Sequence, residues 1–140
     1  MMLAMDAAAL AEFLDREFPQ VQGDFDIREI SSDRLCVALN VAERHLRPGG
    51  TVSGPSMFAL ADVAVYLAVL SRIGPKALAV TTNCSIDFMR KPEAGLPVIA
   101  EARLLKLGRS LAVGDVLMTS EGHDAPVARA TVTYSIPPER

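Results

Sequence analysis

One carboxylate, Asp62, interrupts the apolar run GPSMFALADVAVYLAVL at residues 54–70. A charge buried without a partner is costly, so Asp62 needs a hydrogen-bonding neighbour or a chemical task. The tasks open to a carboxylate in an apolar wall are those of a general base toward water or a nucleophile toward an electrophilic carbon. The approach to the run, RHLRPGGTVSGPSMF, offers a second piece of chemistry. If the run is a helix, its first backbone N–H groups have no intrahelical partner, and the helix dipole adds partial positive charge there. Gly54 leaves room for a ligand to touch backbone, and Pro55 suits a first turn, where its missing N–H costs little. Such an end can bind a phosphate or stabilise an oxyanion. Asp62 lies two turns further along, so within one chain it does not face a ligand at that end directly. It can face a substrate lying along the helix, or one held across a subunit interface. A purely structural Asp62 would instead accept a hydrogen bond from Tyr66 or from a neighbouring subunit.

The elements that must hold these groups are marked off by Gly and Pro, at 19–23, 48–55, 74–75, 92–97, 108, 122–126 and 137–138. Residues 3–18 place Leu3, Ala7, Leu10, Leu14 and Phe18 on one stripe of an amphipathic helix. DFDIREISSDRLCVALNVAER reads as a hairpin, with Leu35, Val37, Leu39 and Val41 alternating with Cys36, Ala38 and Asn40. In the 54–70 run, Met57, Ala61, Ala64 and Ala68 form a small-residue stripe. Asp62 lies with the bulky Phe58 and Tyr66 at i−4 and i+4. A helix apolar on nearly every side is buried. Four strands follow, in ALAVTTNCSIDFMR, LPVIAEARLLKL, RSLAVGDVLMTS and APVARATVTYSI; Gly114 in the third predicts a bulge or a close backbone approach. Short turns between sequential strands imply an antiparallel sheet, so the class is α+β, with the lone apolar helix in the concave face of the sheet.

The 140 residues form one expected domain, 1–140, with a core over 24–136. Half the residues are hydrophobic while aromatics are only 5% and Trp is absent, and an excess of small aliphatic residues finds its outlet in a subunit interface. A homodimer or homotetramer is therefore expected. The net charge of −3 argues against a nucleic-acid partner, which needs a basic face. No uninterrupted apolar stretch reaches about 18 residues, so no membrane span is expected. The N-terminal segment lacks a basic region and carries Asp6 and Glu12, unlike a signal peptide. Cys36 and Cys84 have no paired spacing and read as small core residues of a cytoplasmic protein. His45 and His123 have no neighbouring His or Cys, so no metal site is expected. The GGTVSG glycines match neither a P-loop nor a dinucleotide fingerprint. Arg90 and Lys91 can be a solvated strand end or, with Arg109 of the LGRS turn, a phosphate-binding set.

The order of elements and the loop before the apolar helix resemble the hotdog-fold acyl-CoA thioesterases, in particular the phenylacetate-degradation, PaaI-like branch. That branch reads His-x-Asn-x-x-Gly-x-x-His-Gly-Gly, with an acidic residue nine positions after the second His. HLRPGGTVSGPSMFALAD supplies His45, Gly50, Gly54 and Asp62 at the matching places. TTNCSIDFMRKP, AEARLLKLGRSLAVGDV and VARATVTYSI resemble the family's later strands, so the resemblance spans about residues 25–136. It implies an antiparallel sheet wrapped around one long helix, and hydrolysis of an acyl-CoA, with coenzyme A as part of the substrate and no separate cofactor. Asp62 would be the general base or nucleophile and the Gly54 N–H the oxyanion donor. Thr81 falls where relatives carry a hydroxyl that orients water or nucleophile; the alternation there leaves Thr82 and Asn83 as alternatives. Phe58, Tyr66, Met57 and Met89 would line an apolar acyl pocket, and Arg90, Lys91 and Arg109 would meet the coenzyme A phosphates. The family's Asn, second His and second Gly are Arg47, Ser53 and Pro55 here. Arg47 accepts no hydrogen bond and Ser53 does not reach as imidazole does, so these substrate-site positions do not inherit the family's roles. That departure motivates a second reading, a non-catalytic acyl-CoA-binding or regulatory module on the same fold. A hotdog dehydratase is disfavoured, because neither His45 nor His123 lies in the helix.

Overall fold

The computed structural model describes residues 3–138; the outermost parts of the expected domain, residues 1–2 and 139–140, lie outside the described residues. The chain runs α1 (Ala7–Glu17), β1 (Phe25–Ile30), β2 (Leu35–Leu39), α2 (Gly54–Ile73), β3 (Val80–Phe88), β4 (Val98–Leu107), β5 (Leu111–Ser120) and β6 (Pro126–Ser135). The six strands form one antiparallel sheet in the order β1-β2-β4-β5-β6-β3. The crossover that carries β3 to the far edge is α2 itself, lying against the sheet.

The first helix starts later than the stripe from Leu3 predicts. Asp6 is its N-cap, accepting from the Ala9 N–H at 2.9 Å, and a side chain that caps cannot sit inside the helix it begins. Ahead of it the chain bends, with Ala4 N–H on Ser71 O at 2.7 Å. Leu10, Phe13 and Leu14 are the buried face; Phe18 ends the helix half-exposed rather than in the core.

The second helix follows the expected bounds closely, from Gly54 to Ile73. From Leu60 to Ser71 every residue except Asp62 is buried. By length and composition this helix could cross a membrane, but here the sheet covers it. It packs directly over Gly114. A Cβ built there would stand 2.8 and 2.9 Å from the two methyls of Val65, so only glycine fits. A bulge also occurs here, in the partner strand, where the register of β4 against β5 slips between Leu104 and Lys106. The inner face of the sheet is built from alternate residues: Val98, Ala100 and Ala102, then Ala112, Val116 and Met118, then Ala128, Ala130, Val132 and Tyr134, all buried.

The last strand of the order, β3, is an edge. It pairs with β6 alone, and its nine residues carry a half-exposed or exposed pattern along most of their length. Its register against β6 slips by one residue between Thr81 and Asn83. This one-residue bulge at Thr82 reverses the alternation, because side chains on a strand have a period of two.

Candidate active site

Asp62 is the partly buried residue of an otherwise buried stretch, and its surroundings come from three elements. Thr81, on β3, donates its hydroxyl to Asp62 Oδ1. Tyr134, on β6, donates to the same Oδ1 at 2.8 Å and lies 3.1 Å from the Asp62 backbone O. Tyr66, the partner expected for a structural Asp62, turns elsewhere: its hydroxyl donates to Ala77 O at 3.1 Å. Among the described residues nothing hydrogen-bonds Asp62 Oδ2. Among the described residues no fully buried side-chain oxygen lacks a partner, so Oδ2 borders open space. That space is a cavity of about 300 Å³ lined by Asp62, Thr81, Tyr134, Tyr66 and, from the end of α1, Glu17 and Phe18.

The bulge at Thr82 explains which of three neighbouring residues meets the carboxylate. Cys84, Ile86 and Phe88 stand opposite the inward residues Val132, Ala130 and Ala128, and the slip returns Thr81 to that same face, opposite Tyr134. Thr82 is exposed, with its hydroxyl on Thr133 O at 3.4 Å, and Asn83 stands opposite Thr133 on the outer face. Neither Thr82 nor Asn83 joins the cavity.

At the other end of the helix, Ser53 is the N-cap. Its hydroxyl accepts from Ser56 N–H at 3.3 Å and its own N–H donates to His45 O at 2.8 Å. Its side chain thus takes up helix capping, a task that Asn or Ser performs well and imidazole does not. Pro55 has no N–H. Among the described residues this leaves the Gly54 N–H as the one amide at the helix start without an internal partner. The Phe88 ring packs over Gly54, with Cζ 3.3 Å from where a Cβ would stand. Gly54, Pro55, Phe58, Ile86 and Phe88 line an open apolar cavity of about 440 Å³. Met57 is buried in the core, while Met89 is half-exposed beside Phe88.

Several expected site residues are not brought together. Eight residues of helix separate Gly54 from Asp62, about 12 Å at 1.5 Å per residue. Within one chain they therefore serve different cavities. Arg47 is exposed in the loop before the helix, with Nη1 on Pro48 O at 3.3 Å. Arg90 donates to Pro126 O at 3.1 Å, at the start of β6, and Lys91 is exposed beside it. Arg109 lines a cavity of about 880 Å³ with Lys76, Ser135 and Ile136, at the end of β6. Nine steps of strand, about 30 Å, lie between those ends, so the three cations do not form one set within a chain. His45 is buried and structural: Nδ1 accepts from Ala42 N–H at 2.9 Å, and Nε2 lies 3.7 Å from Asp24. His123 is exposed in a turn, and among the described residues no three His, Cys, Asp or Glu side chains converge.

Tyr134 is the site residue that the sequence hides. It occupies an inward position of an alternating strand, which is all that periodicity shows of it, and its link to Asp62 spans 72 residues. Burial, reinforced by the Asp62 charge beside it, pushes its phenol far above the ordinary tyrosine range, so it stays a donor. Burial also raises the Cys84 thiol, again with help from Asp62.

A six-stranded antiparallel sheet around one long apolar helix, with a carboxylate midway along that helix, defines a hotdog thioesterase. The family profile of the thioesterase superfamily matches residues 49–127, and the chain belongs to that superfamily. A candidate thioesterase of a Silicibacter species shares 62% identity and superimposes with a TM-score of 0.92 over 99% of this chain and 96% of that one. The phenylacetic acid degradation protein PaaI of Thermus thermophilus, solved as an Asn-to-Asp variant, is 32% identical with a TM-score of 0.72, covering 85% of this chain and 99% of its own. A Streptococcus mutans protein solved with acetyl-CoA bound is 27% identical with a TM-score of 0.70, covering 83% and 90%. The PaaI-like branch and the coarse activity, thioester hydrolysis, follow from this membership.

Proposed function

We propose that this thioesterase hydrolyses acyl-CoA, with Asp62 Oδ2 as the reacting oxygen and the Gly54 N–H as the oxyanion donor. The observation that carries the reading is the asymmetry of the carboxylate: Oδ1 is engaged by Thr81 and Tyr134 while Oδ2 opens to the cavity. As general base, Oδ2 takes a proton from water as the oxygen attacks the thioester carbonyl; the Gly54 N–H receives the oxyanion; collapse expels the thiolate, which recovers the proton as coenzyme A thiol. As nucleophile, Oδ2 attacks the carbonyl directly, the C–S bond breaks and coenzyme A leaves as its thiolate; water then opens the mixed anhydride to free acid and the restored Asp62 carboxylate, and the proton released passes to the thiolate. The acetyl-CoA bound to the Streptococcus mutans relative supports a coenzyme A thioester as the substrate class.

The separation of about 12 Å along the helix keeps Asp62 and Gly54 of one chain from the same carbonyl. The reading therefore includes a homo-oligomer in which Asp62 of one copy faces Gly54 of another. The unpaired edge of β3 and the half-exposed Phe58, Phe88 and Met89 supply a surface for such pairing. Arg90 and Lys91 follow Phe88, whose ring covers Gly54, so they are the cations on the oxyanion side and suit the coenzyme A phosphates.

The test is thiol release from a panel of short, medium and aryl acyl-CoA by wild type and Asp62→Asn. The amide keeps the shape and the acceptor facing Thr81 and Tyr134 but cannot act as base or nucleophile. Loss of most of the rate is expected; an Asp62→Asn variant as fast as wild type refutes the role of Asp62. Acyl-CoA binding by calorimetry without thiol release across the panel would favour the binding-module reading, which the substitutions at Arg47 and Ser53 motivate.

A further inference from the structure

We propose that Tyr134 is the positioning residue that aims the Asp62 carboxylate, holding Oδ1 so that Oδ2 alone meets the substrate. This inference rests on Asp62 being the catalytic carboxylate, as proposed above.

The geometry is specific to one residue. The phenol oxygen lies 2.8 Å from Asp62 Oδ1 and 3.1 Å from the Asp62 backbone O. One hydroxyl thus spans the side chain and main chain of the same residue, which fixes the side-chain torsion of Asp62 relative to its helix. Thr81 adds a second donor to Oδ1 from the opposite strand. With Oδ1 held twice and Oδ2 not at all, the two carboxylate oxygens are unequal before any substrate arrives. A freely turning carboxylate would have to be ordered at each turnover.

The phenol is itself held. Its ring contacts that of Tyr66, with centroids 5.7 Å apart and planes at 30°, and Tyr66 is tied by its hydroxyl to Ala77 O. Tyr134 is buried at the base of the cavity, opposite Thr81 on β3 and Ala112 on β5. The titratable groups facing Asp62 from every packed element are Glu17 at the end of α1, Tyr66 on α2, Cys84 on β3 and Tyr134 on β6. Among the described residues none of these facing groups is a cation, so the hydrogen bonds that hold the carboxylate come from hydroxyl donors.

The test is Tyr134→Phe, which keeps the ring and removes one oxygen, measured beside wild type and Asp62→Asn over a range of pH on the best acyl-CoA. The expected result is a fall in kcat of about tenfold, the size of one hydrogen bond to a charged group, with KM within about twofold. The acid limb of the rate profile should also move up by about one pH unit, because the charged form loses a donor. If Asp62→Asn is inactive while Tyr134→Phe keeps the wild-type kcat and acid limb, the positioning role is wrong and the role of Asp62 stands. A lower kcat with an unmoved acid limb also overturns it, since that is a packing effect. An active Asp62→Asn removes both proposals together. Should the Phe variant not fold, 3-fluorotyrosine placed at position 134 gives the opposite sign. A more acidic phenol donates more strongly, so the acid limb should move down, and an unmoved limb overturns the proposal.

Discussion

Replacing Gly114 with alanine adds one methyl where the helix packs directly on the sheet. That carbon would lie 2.8 Å from Val65 Cγ2, 2.9 Å from Cγ1 and 3.4 Å from Cβ. Carbon atoms in contact prefer about 3.5–4.0 Å, so two methyls overlap the new atom by roughly 0.7 Å each. Val65 cannot rotate away, because a β-branched residue in a helix has one strongly preferred rotamer and both methyls already face the sheet. The strain has to lift α2, and overpacking of this kind costs about 1–3 kcal/mol. Against this, alanine restricts the unfolded chain more than glycine and recovers about 0.5–1 kcal/mol. The net expectation is a loss of roughly 1–2 kcal/mol in urea denaturation followed by circular dichroism. Val65→Ala removes the two clashing methyls, so adding it to Gly114→Ala should give a double variant more stable than the sum of the single losses, by about 1 kcal/mol or more. Asp62 is one turn from Val65, so lifting the helix should also loosen the bonds from Tyr134 and Thr81 and lower the hydrolysis rate. A Gly114→Ala protein as stable as wild type, or losses that simply add, would refute the close-approach argument.

Two further expectations test the site and its supporting loop. Thr81→Val removes a donor from Asp62 and should cut thiol release about tenfold, while Thr82→Val, on the bulge and exposed, should change it less than about twofold; the reverse pattern would place the wrong residue on the inner face. Burial, and then the Arg44 charge, hold His45 below its ordinary range, so the folded state resists a proton that the unfolded chain accepts below about pH 6.5. Stability should therefore fall as pH drops from about 6.5 toward the folded value, and His45→Asn, which can keep an acceptor for the Ala42 N–H, should flatten that slope in urea titrations; an equal slope in both proteins would exclude His45 as its source.

Much of the fold is legible in the chain because its signals are local. Gly and Pro mark the breaks, the apolar run at 54–70 has helix length and lies between two such breaks, and the strand alternation sorts Ala128, Ala130, Val132 and Tyr134 onto one face. The same locality singles out Asp62 as the anomalous charge and Gly54 as the open start of its helix. Other features depend on partners far along the chain. Which of Thr81, Thr82 and Asn83 faces Asp62 turns on a one-residue bulge, and a bulge exists only relative to the strand it slips against. Arg90 and Arg109 look like one phosphate-binding set in sequence and stand at opposite ends of β6 in space. Tyr134 reaches the carboxylate only when the last strand lies beneath the helix. The sequence by itself determined the elements, their order and the carboxylate at issue; the tertiary structure decided which hydroxyls hold that carboxylate and which oxygen they leave open, because hydrogen bonds across 19 and 72 residues follow from strand register, which no single segment contains.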